Sequence, residues 1–282
     1  MTEGSVPADL HIHSTASDGT VAPASIVAMA RDLGIWTVAV SDHDSVDGIP
    51  EALEAGSSLG VTVIPAVELS AETDGRSVHI LGYFIDHKNP GLLAHLGSLR
   101  ETRLTRAREL VRVLADGGYP ISLEQVLART SGGSVGRAHV ARVLVDEGHV
   151  PSSGAAFDRL IGRGKPFYVE KPVASPTAVI ATIRSAGGIA VLAHPAVSNA
   201  EDLIEAFTDF GLQGIEALHA QHTAPERERL RATASRLDLA VTGGSDFHGP
   251  GEGRTRLGDG GMSDAELAAF IAFAERRPRP RS

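Results

Sequence analysis

Cysteine is absent from all 282 residues, which excludes disulfides, thiolate zinc sites and cysteine nucleophiles. Any metal must therefore be held by nitrogen and oxygen. Aromatic residues make up only 4% of the chain, and no run of basic residues is interleaved with them, so a stacking platform for single-stranded nucleic acid is not evident. No stretch approaches the ~18–20 apolar residues of a membrane span, and residues 1–8 lack a basic region followed by an apolar run. These absences lead to the expectation of a cytoplasmic protein with no membrane partner. Positive charge is also scarce, for the net charge of −9 disfavours adhesion to polyanions. The scarcity is uneven. Residues 98–169 hold 11 Lys+Arg against 7 Asp+Glu, whereas the remainder holds 15 against 28. A basic segment set into an acidic body is either a solvated helical surface or a cationic wall facing an anionic substrate.

What is present is an ordinary soluble composition, 42% hydrophobic and 22% charged, long enough to bury one large core with room for an insertion. Helical spacing over residues 23–33 leads into a short apolar run at 36–40, typical of a buried parallel strand. The alternation continues with a helix at 50–59 and strands at 61–67 and 78–85. After the basic segment come a helix at 176–186, a strand at 189–193, a helix at 200–210, a strand at 214–218, a helix at 225–237, a strand at 239–242 and a last helix at 263–276. This order predicts a mainly parallel sheet wrapped by helices. Residues 98–169 break it with helices at 99–115, 123–130, 137–146 and 155–161 and no convincing strand. The expected organisation is a barrel first part at 7–97, a helical insertion at 98–169, a barrel second part at 170–276 and a disordered tail at 277–282.

Chemistry gathers at strand ends. His11 and His13 stand two apart on a predicted strand, so both imidazoles leave the same face and can reach one metal. Asp42, His43, Glu68, His194, Asp246 and His248 likewise lie at or just beyond predicted C-terminal strand ends, which converge on one mouth if the sheet closes into a barrel. His79 lies near the start of the strand at 78–85. In the insertion, Gly136-Arg137-Ala138-His139 opens a helix, where free N–H groups and an arginine fork suit an anion.

The set Asp9-Leu10-His11-Ile12-His13-Ser14, Ser41-Asp42-His43-Asp44, Glu68, His79, Ala193-His194-Pro195 and Gly244-Ser245-Asp246-Phe247-His248 resembles the ordered motifs of the polymerase and histidinol phosphatase (PHP) superfamily. The resemblance spans nearly the whole chain. It implies a distorted seven-stranded (β/α) barrel holding two or three divalent metal ions. His11, His13, Glu68 and Asp246 would hold the first, Glu68, His79 and His194 the second with Glu68 bridging, and Asp18, His43 and His248 a third. Many members carry histidine where this chain has Asp18. The insertion bearing Gly136 to His139 resembles small phosphoesterases acting on nucleotide 5′-monophosphates and 3′,5′-bisphosphates. Some relatives are described as 5′-to-3′ exoribonucleases on short RNA.

Nitrogen and carboxylate ligands without sulfur suit Mn, Fe or Zn. Closely spaced divalent ions supply hydroxide at neutral pH and neutralise phosphoryl oxygens. Arg137 and His139 would stabilise the non-bridging oxygens, His222 would protonate the leaving group, and Asp42 and Asp44 would orient metal-bound imidazoles. The expected activity is hydrolysis of the phosphate monoester of a small nucleotide, with a 3′-phosphate as the grip and the 5′-phosphate as the reacting group. Short RNA 5′ ends, histidinol phosphate and a non-catalytic metal-binding module are the alternatives, and no obligate protein partner is evident.

Overall fold

The computed structural model describes residues 7–130, 134–170, 174–251 and 255–277. The tail expected at 277–282 lies, apart from Arg277, outside the described residues. The fold is mixed α/β. A three-stranded parallel sheet runs β1 (Ala8–Ile12), β2 (Thr37–Val40) and β3 (Thr62–Val63). A five-stranded sheet follows in the order β4 (Ala66–Thr73), β5 (Arg76–Tyr83), β6 (Ile189–Leu192), β7 (Gly214–Glu216) and β8 (Ala240–Thr242). Backbone hydrogen bonds join the two sheets. Leu10 N–H donates to Gly243 O at 3.1 Å and Asp246 N–H to His11 O at 2.8 Å, while Asp44 N–H donates to Glu68 O at 2.9 Å.

Two features correct the expected strand pattern. The single strand anticipated at 61–67 is split at Ile64-Pro65, because proline has no N–H to give to a ladder; Ile64 N–H still reaches Val38 O. The sheet is also less parallel than anticipated, since β5 is antiparallel to both β4 and β6. That reversal explains His79. In a strand running against its neighbours the early residues stand at the mouth where the other strands end, and His79 pairs across from Ser70, two residues beyond Glu68.

Helices α1 (Pro23–Asp32) and α2 (Ile49–Leu59) cover the first sheet, each with proline in its first turn, where the missing N–H costs nothing. Gly60, at φ +72°, closes α2 in the left-handed conformation that glycine adopts without strain. Helices α3 (Pro90–Asp116), α4 (Leu123–Ala128), α5 (Arg137–Asp146) and α6 (Ser153–Ala156), the last running on as a π-turn over Phe157–Ile161, occupy the basic segment. No strand lies there among the described residues. Helices α7 (Pro176–Ser185), α8 (Ile204–Asp209), α9 (Ala224–Arg236) and α10 (Asp264–Glu275) complete the chain.

The boundary expected at 97/98 is not a break in the backbone. α3 starts at Pro90, capped by the Asn89 side chain accepting from Leu92 N–H at 3.0 Å. Its early residues Leu92, Leu96 and Leu99 pack into the core formed by β4, β5 and α7. Its later residues Ala107, Leu110 and Leu114 pack into a separate core made with α4 to α6.

Candidate metal centre and its phosphate-facing cavity

The strand ends bring the expected ligand residues together. His11 Nε2, on β1, and His13 Nε2, just beyond its end, stand 3.1 Å apart. Glu68, on β4 and fully buried, divides its two oxygens between two groups. Oε1 lies 2.9 Å from His79 Nδ1 and 3.2 Å from His194 Nε2. Oε2 lies 2.8 Å from His43 Nδ1, 3.3 Å from His13 Nε2 and 3.4 Å from His11 Nε2. Asp246 Oδ1 sits 3.1 Å from His13 Nε2 and 3.6 Å from His248 Nδ1, and Asp18 Oδ1 sits 3.4 Å from His248 Nε2. Donor atoms of His13, Asp18, His43 and His248, of His11, His13 and Asp246, and of His43, Glu68 and His79 each lie close enough together to share one ion.

Several buried polar atoms of these residues lack a well-formed hydrogen bond, among them His13 Nδ1, His194 Nδ1, and the pair His43 Nδ1 and Glu68 Oε2, whose 2.8 Å approach lacks hydrogen-bond geometry. Orphaned polar atoms at that density are costly unless something binds them, and an all-nitrogen-and-oxygen donor set suits a divalent cation. Charge points the same way. Burial works against a protonated His13, but hydrogen bonding to Asp246 and Glu68 prevails and raises it to about 10. Burial likewise opposes ionisation of Glu68, yet His43, His79 and His11 hold its carboxyl well below the usual range. Without a cation, protons on imidazole do its work.

The loops carrying these groups are strained. His194, Asp246 and Asp44 adopt left-handed backbone at φ +32°, +55° and +48°, a conformation that non-glycine residues hold only when their surroundings enforce it. Asp42 and Asp44, expected to orient imidazoles, bind loop and helix groups. Asp42 accepts from Ser14 N–H at 2.8 Å, Ser14 Oγ at 2.6 Å and Ser17 Oγ at 2.5 Å, which fixes the loop leading to Asp18. Asp44 accepts from Ser70 N–H at 2.9 Å and from Arg103 Nε at 2.7 Å, which ties α3 to the loop of His43.

Glu216, the last residue of β7, and His219, three residues beyond it, were not anticipated at the site. Glu216 is fully buried, and its Oε1 lies 2.9 Å from His11 Nδ1. Burial opposes its ionisation, but His11 brings its carboxyl down to about 2. His11, Glu216 and His219 also cluster closely enough to suggest a further metal position. However, His219 Nδ1 accepts the Gln221 N–H at 3.2 Å, so the proton of this imidazole is on Nε2, which faces Asp246 Oδ2 at 3.6 Å and has no lone pair to give.

A cavity of about 220 Å³ opens beside the ligand groups. Asp18, His43 and His79 form one wall, and Arg103, Arg106, Arg137 and Arg163 with Tyr168 form the other. Arg103 is paired with Asp44 and Arg163 with Glu72. Arg106 and Arg137 have no carboxylate partner among the described residues. Arg106 Nε donates to Val169 O at 2.8 Å, Arg137 Nη1 to Ile161 O at 3.4 Å, and both guanidinium groups lie over the Tyr168 ring, at 5.4 and 5.7 Å. Burial and the neighbouring Arg137 bring Arg106 down to about 10. Two part-buried cations without counter-ions are poised for an anion. Of the expected substrate groups, only Arg137 lines this cavity. His139 is buried, its Nδ1 accepting the Gly136 N–H at 3.0 Å as a cap, and it lies near enough to Asp18 to feel that carboxylate's charge. His222 is buried behind His219, its rings 5.3 Å from that residue, with Nδ1 3.2 Å from the Ala217 carbonyl. Arg103, Arg106, Arg163 and Tyr168 were missed, although Arg103 and Arg106, three apart on a helix, share one face.

Known proteins match this chain along most of its length. The PHP domain family model matches residues 9–155. A 5′-3′ exoribonuclease of Haemophilus influenzae is 39% identical over 247 residues, covering 86% of this chain and 90% of the relative. A 3′,5′-nucleoside bisphosphate phosphatase of Chromobacterium violaceum is 36% identical over 256 residues, covering 89% and 90%. A crystal structure from Bifidobacterium adolescentis, of a protein proposed to be a metal-dependent phosphoesterase, superposes with a TM-score of 0.88 at 33% identity, covering 94% of this chain and 96% of the other. With the histidine and carboxylate clusters at its strand ends, the chain belongs to the PHP family and is a metal-dependent phosphoesterase.

Proposed function

We propose that this phosphoesterase cleaves the 3′-side phosphate ester of a small nucleotide that carries a 5′-phosphate, with 3′,5′-bisphosphates as the main substrates and short 5′-phosphorylated RNA as a second class. The observation that carries this reading is one cavity with two unlike walls, donors for cations on one side and, on the other, Arg106 and Arg137, which have no carboxylate partner among the described residues. Two sites for negative oxygen in one cavity suit a substrate with two phosphates. The orientation comes from the relatives. An exoribonuclease working from the 5′ end breaks the bond on the 3′ side of its first nucleotide, and a bisphosphate phosphatase can act with the same placement if the 5′-phosphate sits among the arginines. This reverses the orientation favoured by sequence alone.

His11, His13, Glu68 and Asp246 would hold one ion, and Glu68, His79 and His194 a second. Asp18, His43 and His248 would hold a third. Manganese, iron and zinc all suit these donors. Bound there, divalent ions supply a hydroxide at neutral pH and neutralise the reacting phosphoryl group. The chain itself does the rest: Arg106 and Arg137 grip the second phosphate, Tyr168 and Phe157 back the guanidinium planes, and the Asp44–Arg103 pair holds that wall beside the ligand wall. We take β3 and β4 as one strand broken at Pro65, so that the two sheets make a distorted seven-stranded barrel with residues 98–169 as an insertion over its mouth. The deciding experiment incubates the manganese-loaded enzyme with adenosine 3′,5′-bisphosphate and separates the products. Adenosine 5′-monophosphate and phosphate are expected; adenosine 3′-monophosphate would overturn the orientation, and no turnover would overturn the substrate.

A further inference from the structure

β7 ends at the metal mouth without contributing an expected ligand, yet its last residue is among the most enclosed carboxylates in the molecule. Both oxygens of Glu216 are engaged, each with a different ligand-bearing strand. Oε1 lies 2.9 Å from Nδ1 of His11, on β1. Oε2 accepts the backbone N–H of His194, just beyond β6, at 2.8 Å. His11 uses its other nitrogen differently, since Nε2 stands in the ligand cluster 3.1 Å from His13 Nε2 and 3.4 Å from Glu68. A neutral imidazole that gives its proton to a carboxylate at Nδ1 keeps its lone pair at Nε2. His194 is in the left-handed region at φ +32°, so its ring reaches Glu68 only while its backbone is held there.

We propose that Glu216 is a positioning residue that sets the two metal-facing histidines at once, fixing His11 as the Nδ1–H tautomer and His194 in its strained backbone. A carboxylate is required for this. Both partners are donors, so an amide of the same shape could accept from only one of them and would turn its own N–H groups toward the other. Glu216 thereby links ligands from two strands that meet on opposite sides of Glu68. The inference rests on the metal-binding reading above, and it concerns how the ligands are held rather than which ions they hold.

The test uses the full-length protein stripped with chelator and titrated with Zn²⁺ by calorimetry, wild type beside Glu216→Gln. The variant is expected to bind zinc about 10- to 100-fold more weakly, the usual effect of losing an outer partner of a metal-bound histidine. A second measurement needs no variant: ¹⁵N-histidine NMR of the zinc-loaded wild type should show His11 bound through Nε2, with a slowly exchanging proton on Nδ1. Equal zinc affinity in the two proteins, or His11 bound through Nδ1, would overturn the role of Glu216. Failure of the wild type itself to bind zinc, manganese or iron would instead overturn the metal reading.

Discussion

Replacing Arg137 by alanine separates the two walls of the cavity by experiment. Its guanidinium lies over both Phe157 and Tyr168 and meets no carboxylate among the described residues, so its charge is free to serve a ligand. A charge-assisted contact of this kind contributes about 2–3 kcal/mol, so kcat/KM for a 3′,5′-bisphosphate should fall about 30- to 150-fold. The same variant should lose little on a nucleoside 3′-monophosphate, which has no second phosphate for the arginines. Stability should barely change. The guanidinium groups of Arg106 and Arg137 lie 5.4 and 5.7 Å from one ring centre and so no more than about 11 Å apart, where like charges repel by about 1.5 kcal/mol at an effective dielectric of about 20. Relief of that repulsion offsets the loss of two cation–π contacts contributing about 0.5–1 kcal/mol each. The assay is steady-state phosphate release on both substrates, with Tm and metal content measured in parallel. Equal losses on the two substrates would place Arg137 at the reacting phosphate, and no loss on either would remove it from the site.

Glu68→Ala or His194→Ala should drop bound metal and abolish turnover while leaving the far-ultraviolet circular dichroism near wild type, because Glu68 faces both ligand groups; near-normal activity in either would sink the ligand assignment. Ligation must also expel protons. Since the metal-free protein holds His13 protonated up to about 10, metal binding at pH 7–8 should release protons, read as a dependence of calorimetric heat on buffer ionisation enthalpy. The same group sets a pH trend for the metal-free fold. Its folded pKa lies above the ordinary 6.5, so its stabilising contribution is complete below about pH 6.5 and is lost as pH rises through about 10. Urea midpoints of chelated protein that rise over that interval would contradict it.

The histidine and carboxylate clusters were legible because these residues are chemically rare and sit where Val- and Ile-rich runs end: His11, His13, His43, His194 and Asp246 mark strand termini that any closed mouth would gather. His79 was legible by motif but not by position, since nothing in a run of apolar residues reports strand direction. Glu216 and Arg106 were hidden for different reasons. A lone glutamate at the end of a three-residue strand looks like a surface charge until its burial is known, and Arg106 on a charged helix looks like solvated surface until the absence of a counter-ion among the described residues is seen. His139 and His222, expected to serve the substrate, each commit Nδ1 to nearby backbone. A histidine at a helix start can face a ligand or cap its own helix, and sequence does not distinguish the two outcomes. The split at Pro65 follows from local chemistry, but the passage from one core to the other is marked by nothing local, because α3 carries one continuous hydrogen-bond ladder between them.

That continuity makes α3 act as a calliper. Its 27 residues span about 40 Å at the ~1.5 Å rise of an α-helix, one end seated in the core beneath β4 and β5, the other in the core beneath the arginine wall. Arg103 clamps the span midway, to Asp44. The gap between the arginines and the histidines is therefore set by an unbroken rod and not by a linker, so the proposed substrate would be selected by the distance between its two phosphates before its base.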